Sequence, residues 1–398
     1  MTMRMPLGLM LAAALAIAPA PAAAVTGVAA DGLQAMRELN LIVLGDWTGG
    51  HDVEGKAFVG GSATGNSTTV GIGNSVQGAA PSARPTLTIV GNNGLVGINV
   101  NNGANGGNGL VATAPGVAIG GNSGGLNLNA SGASLDIGGN FSGNANIGAG
   151  QTFNIGGSAS GSINGTSGAT VNAGGTINGN ANGAAFNQNL GGGFMAPFSA
   201  KLQTQRAQLE ADLTALSGAL AGLSLASNQS SITSLGGKAI FTAVDGGAGF
   251  ALFQVDAAFF GGHSEIQYDF PLTALPVIIN VSGIGTINYN LNAVGSIGGA
   301  NQQLIWNFTD ATTVNFNRMV HGSVLATEAL VTNVTPLAGS IVARSFRQGG
   351  EVHLGTYAQD AAFLATEVLP EPQSWALLII GFGLVGATMR RRRGLATA

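Results

Sequence analysis

The stretch 134–187 reads SLDIGGNFSGNANIGAGQ (134–151), TFNIGGSASGSINGTSGA (152–169) and TVNAGGTINGNANGAAFN (170–187). Its Gly pairs recur every 18 residues and continue on both sides of the stretch, at Gly120-Gly121, Gly138-Gly139, Gly156-Gly157, Gly174-Gly175 and Gly192-Gly193. A second Gly follows five residues after the first Gly of a pair, at Gly125, Gly143, Gly161 and Gly179. A period near this length is typical of a solenoid, in which each repeat stacks on its neighbours.

Apolar residues keep the same register as the Gly pairs. One column holds Ile119, Ile137, Ile155 and Ala173, and another holds Leu135, Phe153 and Val171. Stacked coils at the ~4.8 Å strand spacing would bury such columns, and Gly would serve at the corners. A flexible low-complexity linker is the alternative, but it requires no such register. We therefore predict an all-β fold with one long α-helix, as a right-handed β-helix or β-solenoid whose 18-residue repeats cover about 118–193.

The composition fits this prediction and excludes several classes of protein. Of 398 residues 66 are Gly, 8% are charged, 45% are hydrophobic and none is Cys. The low charge excludes a nucleic-acid binder, the hydrophobic content argues against disorder, and the missing Cys excludes disulfide and zinc-thiolate sites. Between Arg84 and Lys201 the sequence has one charged residue, Asp136. Stacked coils explain this gap, because they would bring like charges close together.

A helix and a second β region follow the repeats. Residues 199–225 carry one apolar stripe with helical spacing, made of Leu202, Leu209, Leu213, Leu216, Leu220 and Leu223. The helix could pack along the flank of the solenoid or form an oligomerisation seam. Residues 238–356 return to a β pattern without a clean 18-residue period, with candidate strands at 240–244, 277–281, 304–308, 324–325 and 341–343.

The two ends of the chain have the patterns of targeting segments. Residues 1–24 combine Arg4, an apolar run and small residues at 22–24, as in a secretory signal peptide. The tail, 369–398, has Pro370-Glu371-Pro372, then Trp375 and an uncharged run, and then Arg390, Arg391, Arg392 and Arg393. A helix over 375–389 would be about 22 Å long, so it could span a bilayer with help from flanking residues, with the arginines in the cytoplasm.

This tail resembles the PEP-CTERM sorting signal in its PEPxxWA variant. The resemblance implies export in a Gram-negative bacterium, a transient inner-membrane anchor and processing by an exosortase. It also implies a final place at the cell surface or outside the cell, linked to exopolysaccharide and biofilm. Loss of Arg4, the four tail arginines and Glu371 would change the net charge from −4 to −8.

The region between the two ends, taken as one domain over 25–368, resembles the choice-of-anchor A family over roughly residues 35–360. The matching segments are NLIVLGD (40–46), DVEGKAFVGG (52–61), WNF (306–308), GSVLA (322–326), GSIVARSF (339–346) and EVH (351–353). Thr327 departs from the Pro usual in that family. The resemblance implies an adhesive, ice-binding-like β-helical surface domain, and no catalytic residue is established for the family.

Residues that could carry chemistry are few. Asp46, Asp52 and Glu54 precede a Gly turn, and hard carboxylate oxygens suit Ca²⁺, although Asp46 and Asp52 could instead cap turns. Glu351 and His353 alternate on a strand and would share a face. Asp136 alone cannot supply the two carboxylates of a glycosidase. We therefore expect no enzyme activity and no cofactor, with a calcium ion at the three carboxylates as the alternative.

Three functions remain open from the sequence. The first is a non-enzymatic surface or matrix protein whose Asn, Ser and Thr rows bind a polysaccharide, a neighbouring cell or ice. The second is a polysaccharide-acting enzyme with a site near His353 or Asp52. The third is a structural exopolysaccharide component without a specific ligand.

Overall fold

The computed structural model describes residues 25–73, 78–101, 116–128, 133–225, 228–270, 275–295, 297, 300–360 and 362–367. These residues form a mostly β structure with few helices and extensive parallel sheets. The helices are Ala29–Glu38 (α1), Ala196–Ala221 (α2), Phe259–Gly262 (α3) and Ala300–Gln303 (α4), with a 3-10 helix at Ala362–Glu367. The predicted signal peptide, 1–24, and sorting tail, 369–398, lie outside the described residues.

Most layers of the structure contribute strands at three positions, separated by Gly-containing corners. In one layer these are Ala57–Val59, Ala63–Gly65 and Thr68–Val70, and in the next they are Leu87–Ile89, Asn93–Leu95 and Ile98–Val100. Equivalent strands pair in parallel, which produces three stacks that we call A, B and C. This arrangement is consistent with a β-solenoid.

Stack A runs through the whole structure. In spatial order it contains Ala251–Asp256, Val277–Ser282, Leu304–Phe308, the first part of Ser323–Asn333, the first part of Ile341–Gln348, Leu41–Val43, Ala57–Val59, Leu87–Ile89, Gly116–Ile119, Ser134–Ile137, Thr152–Ile155, Thr170–Ala173 and Ala185–Asn187.

Stacks B and C complete the layers. Stack B contains Gly285–Tyr289, Ala311–Phe316, the second parts of Ser323–Asn333 and Ile341–Gln348, Trp47–Gly49, Ala63–Gly65 and Asn93–Leu95, followed by the first parts of Phe141–Ile147, Ala159–Gly165 and Ile177–Asn182. Stack C contains Lys238–Thr242, Glu265–Asp269, Asn292–Val294, Val320–His321, Leu337–Ala338, Val352–His353, Thr68–Val70, Ile98–Val100, Leu126–Leu128 and the later parts of Phe141–Ile147, Ala159–Gly165 and Ile177–Asn182. Ser231–Leu235 adds an antiparallel strand beside Lys238–Thr242.

The order of the layers in space differs from their order in the chain. Leu41 pairs in parallel with Ala57 on one side and with Ile341 on the other. The N-terminal layers therefore extend away from Leu41–Val43 in one direction, and the C-terminal layers extend in the other. α2 connects the far end of the first set to the far end of the second.

The hydrophobic core lies inside the three stacks, and the predicted apolar columns are part of it. Ile119, Ile137 and Ile155 pair in register and are fully buried, as are Leu135 and Phe153 of the second column. Each such side chain contributes about 1.5–3 kcal/mol by leaving water. Apolar side chains at equivalent positions of successive layers therefore stabilise the stack by burying one another.

A second core lies on the outer face of stack A. The apolar stripe of α2, including Leu209, Leu213 and Leu216, packs there together with Leu33 and Met36 of α1. Both faces of the central strands are therefore covered, and strands such as Leu41–Val43 are buried at every residue. The helix packs on the flank of the sheet, and the chain itself covers the stripe proposed above as an oligomerisation seam.

The layers contain different numbers of residues, which explains why the sequence shows the 18-residue period in one region and not in the others. Corner residues 18 apart bond across the later N-terminal layers, whereas the earlier layers are separated first by 16 residues and then by 30. In the C-terminal region the separation is 27 residues and then 17. Strands that pair in successive layers are joined there by connections of different length.

Candidate functional site

A row of polar side chains marks the corner that follows stack A. It consists of Asp46, Ser62, Asn92, Asn122, Asn140, Ser158 and Thr176. In each of the first six the side-chain oxygen accepts a hydrogen bond from the backbone N–H of the next row member, over 2.8–3.2 Å. The preceding Gly leaves room for this contact, since a Cβ on Gly139 would lie 2.5 Å from Asn122 Oδ1. The row is structural, because each side chain holds the next layer in place.

A second row lies on the outer face of stack C. Its members are Asn99, Asn127, Asn146, Asn164 and Asn182. From Asn127 onward, each Nδ2 donates to the Oδ1 of the Asn in the layer before it, over 2.9, 2.5, 3.1 and 3.3 Å. An amide has two N–H donors and an oxygen with two lone pairs. Every inner member of this row, which we call the stack C amide row, therefore keeps one N–H and one lone pair for a ligand.

A third row replaces the apolar outer face of stack A where α2 no longer covers it. The outward positions change from Phe58 and Ala118, which are buried, to Asp136, Asn154 and Asn172, which are half-buried. Asn154 Nδ2 donates to Asp136 Oδ1 over 2.7 Å, and Asn172 Nδ2 donates to Asn154 Oδ1 over 2.9 Å. Asn187 extends this stack A amide row by one further bond.

The three carboxylates considered for calcium bond separately to backbone N–H groups. Asp46 Oδ1 accepts from Ser62 N over 2.8 Å, Asp52 Oδ1 from Thr69 N over 3.1 Å, and Glu54 Oε2 from Leu354 N over 2.6 Å. Within the part of the chain that the structure describes, no group of three or more His, Asp or Glu residues could hold a metal ion. Asp46 and Asp52 thus act as caps between layers, and this geometry gives calcium no support.

Glu351 and His353 lie side by side, as their spacing predicts. Glu351 Oε2 and His353 Nε2 are 2.8 Å apart, and Glu351 is exposed. The pair lies within stack C, where His353 pairs with Ala338 on one side and the adjacent Val352 bridges to Val53 on the other. Asp52 lies nearby, because its backbone oxygen accepts from Val352 N, but its carboxylate bonds to Thr69.

A connected group of charged residues, which the sequence did not point to, lies between α1 and the segment 82–84. Glu38 accepts hydrogen bonds from Gln34, Ser82 and Arg84, and Arg84 Nε lies 2.9 Å from its carboxylate. Burial opposes ionisation of Glu38, but these hydrogen bonds and the Arg84 charge outweigh burial and hold its pKa below the usual value. Lys56 is 5% exposed, and burial lowers its pKa to about 8.

The predicted sorting residues fall outside the described residues. These are Pro370, Glu371, Pro372, Trp375 and the arginines Arg390–Arg393. Among the residues that are described, no helix combines the length and the apolar character needed to cross a membrane.

Comparison with protein families identifies the domain. The family described as "Putative Ice-binding-like adhesive domain" matches residues 32–133 and 113–354, well over half of the chain. The chain belongs to this family. The ice-binding-like adhesive domain thus contains all three polar rows, and an adhesive-type domain is consistent with a cell-surface or extracellular location. No curated protein and no solved structure is significantly similar to the chain.

Proposed function

We propose that this adhesive domain is a right-handed β-solenoid that binds polysaccharide at the cell surface or in the extracellular matrix, without enzymatic activity. The observation that carries the proposal is the stack C amide row. Its amides are held in one orientation by their mutual hydrogen bonds and recur at the ~4.8 Å layer spacing. A polymer of repeating hydroxyl groups can match such a row through many weak hydrogen bonds.

The fixed orientation of the row favours binding. Asn146 and Asn164 are exposed, yet each has its amide plane set by bonds to both neighbouring layers. A side chain that is already ordered loses less conformational entropy when a ligand arrives. The low charge of the surface also favours binding, since few hydrated charges of the protein must lose water when a polymer arrives.

A glycan array with the purified protein tests this function. We expect retention of particular polysaccharides without product release, and weaker retention after Asn164→Ala, which breaks the row. Asn178→Ala is the matched control, because Asn178 is an exposed Asn whose amide bonds to Thr176 instead. Product release would favour the polysaccharide-acting enzyme, with Glu351 and His353 as its first candidates. Absence of binding to every glycan on the array would favour a structural matrix component.

We propose further that the domain is of the choice-of-anchor A type and reaches its location through the PEP-CTERM tail. Its partners would be an exosortase-type processing enzyme and, before processing, the inner membrane. Replacement of Arg390–Arg393 by Ala should leave the tail unprocessed and the protein cell-associated. Normal processing and release of that variant would contradict the sorting proposal.

A further inference from the structure

A cleft of about 470 Å³ opens at the start of α2, where the helix meets the outer face of stack A. Ligand pockets in proteins commonly have this size. Its lining combines apolar side chains, including Phe58, Phe198 and Leu202, with the charged residues Glu38, Arg84, Asp136 and Lys201. These four charges are far apart in a sequence in which 8% of residues are charged.

One wall of the cleft is rigidly built. The ammonium of Lys56 donates to the backbone oxygens of Ser82 and Arg84 over 2.9 and 2.5 Å, and Lys56 itself is buried. The Arg84 side chain bonds to Glu38, which also accepts from Ser82 Oγ. Segment 82–84 is therefore fixed by several charge-assisted bonds, which are among the stronger hydrogen bonds in proteins.

The other wall is held by the helix. Ser199 Oγ donates to the backbone oxygen of Gly120, and Arg206 Nε donates to the backbone oxygen of Leu44 over 3.1 Å. Both contacts join α2 to stack A on either side of Lys201 along the helix. The cleft between the two walls is thus a preformed feature of the fold.

The charges that remain available inside it are Asp136 and Lys201. The positive charge of Arg84 is balanced by Glu38, whereas Lys201 is exposed and takes part in none of the ion pairs of the described residues. The Asp136 carboxylate accepts from Asn154 and, over 3.5 Å, from Ser134, and it has lone pairs left for further donors. The lining of the cleft therefore offers a cation for an anionic group and a carboxylate for hydroxyl groups.

We infer that this cleft binds a uronic acid residue of an acidic polysaccharide. Its carboxylate would pair with Lys201, its hydroxyls would donate to Asp136, and its C–H face would rest on Phe198 and Leu202. The stack A amide row begins at Asp136 and continues through Asn154 and Asn172, so further sugar units have a polar track leading out of the cleft. This inference deepens the proposed function and rests on it.

Calorimetry with two matched probes tests the site. Trigalacturonate and its fully methyl-esterified form differ in charge but share the same hydroxyls. We expect trigalacturonate to bind about tenfold more tightly at low salt, the effect of one well-formed charged contact. Lys201→Gln should abolish this preference, and Lys238→Gln should preserve it, because Lys238 lies away from the cleft and contacts Gln267. Asp136→Asn should weaken both probes, since an amide accepts fewer hydroxyl bonds than a carboxylate.

The outcomes separate this inference from the function on which it rests. Circular dichroism and thermal melting should show that each variant is folded. If neither probe binds, the cleft assignment is overturned, and the same holds if the preference for trigalacturonate survives Lys201→Gln. Glycan retention on the array that depends on Asn164 would still keep the proposed function intact. Binding of trigalacturonate that depends on Lys201 would support the cleft. If glycan retention on the array does not depend on Asn164, that result would count against the stack C amide row.

Discussion

Ser217 and Asn307 exchange two hydrogen bonds beneath α2. Ser217 Oγ donates to Asn307 Oδ1 over 2.7 Å, and Asn307 Nδ2 donates to the backbone oxygen of Ser217 over 3.0 Å. Asn307 also donates to Asn280 Oδ1 over 2.9 Å, and Asn280 Nδ2 donates to the backbone oxygen of Leu220. Asn307 is completely buried. Two stacked amides of stack A thus hold the C-terminal part of the helix in one register on an otherwise apolar surface.

Replacing Asn307 by Ala should destabilise the fold strongly. The change leaves Ser217 Oγ and Asn280 Oδ1 without their partner inside the protein, and a buried polar group without a partner costs about 1–3 kcal/mol. We expect the free energy of unfolding in urea to fall by about 3 kcal/mol. Asn315→Ala is the control, because Asn315 donates to Asn288 and accepts from Thr332 near the surface, where water can replace it, and it should cost less than about 1 kcal/mol. Equal losses for the two variants would contradict the buried network.

The corner row predicts a graded response at Asn122. Its Oδ1 accepts from Asn140 N over 2.8 Å, and Ser replaces Asn at the equivalent positions 62 and 158, where the hydroxyl oxygen accepts the same bond. Asn122→Ala should therefore lower the free energy of unfolding by about 1 kcal/mol, the usual net value of one hydrogen bond. Asn122→Ser should recover most of that loss. A Ser variant as unstable as the Ala variant would show that packing, and not the bond, decides the position.

The repeat could be predicted from sequence because the later layers have equal length. Ile137 and Ile155 stand 18 residues apart and pair directly, so the column in the sequence corresponds to a column in space. The contact between Leu41 and Ile341 could not be predicted in this way. It joins the two halves of the chain across 300 residues, and nothing periodic relates the two strands. The connections of unequal length in the C-terminal region hid the 27-residue separation of Asn280 and Asn307 for the same reason.

The candidate sites were predictable to different degrees. The abundance of Asn indicated amide ladders, but which residues form them depends on the layer lengths. The cleft as a whole could not be predicted, since Glu38, Arg84, Asp136 and Lys201 come from four separate segments. Asp136 was the one visible clue, as the single charge in an uncharged stretch. A residue that breaks a compositional rule of the fold in this way marks a candidate functional position.

Two glycines should respond to Ala in opposite directions. Gly161 has φ +106°, and a Cβ there would lie 2.0 Å from the backbone oxygen of Gly143 in the preceding layer. Gly161→Ala should therefore cost about 3 kcal/mol or prevent folding, because backbone must move to relieve the clash. Gly218 lies in α2 with open space around it, so Gly218→Ala should raise the free energy of unfolding by about 1 kcal/mol. Thermal melting of both variants measures the contrast, and a stabilised Gly161 variant would contradict the stacking of these layers.

Lys56 should make stability depend on pH in a window set by its two pKa values. Burial lowers its pKa from 10.5 to about 8, so between these values the unfolded chain binds more protons than the folded protein. The free energy of unfolding therefore rises with pH across this window, because the folded protein no longer has to bury a charge. Urea titrations from about pH 7.5 to 10 should show the wild type gaining about 2 kcal/mol relative to Lys56→Met, in which the group is absent. Because both proteins share all other titrating groups, parallel curves would mean that the bonds from Lys56 to Ser82 and Arg84 keep the ammonium charged throughout the window.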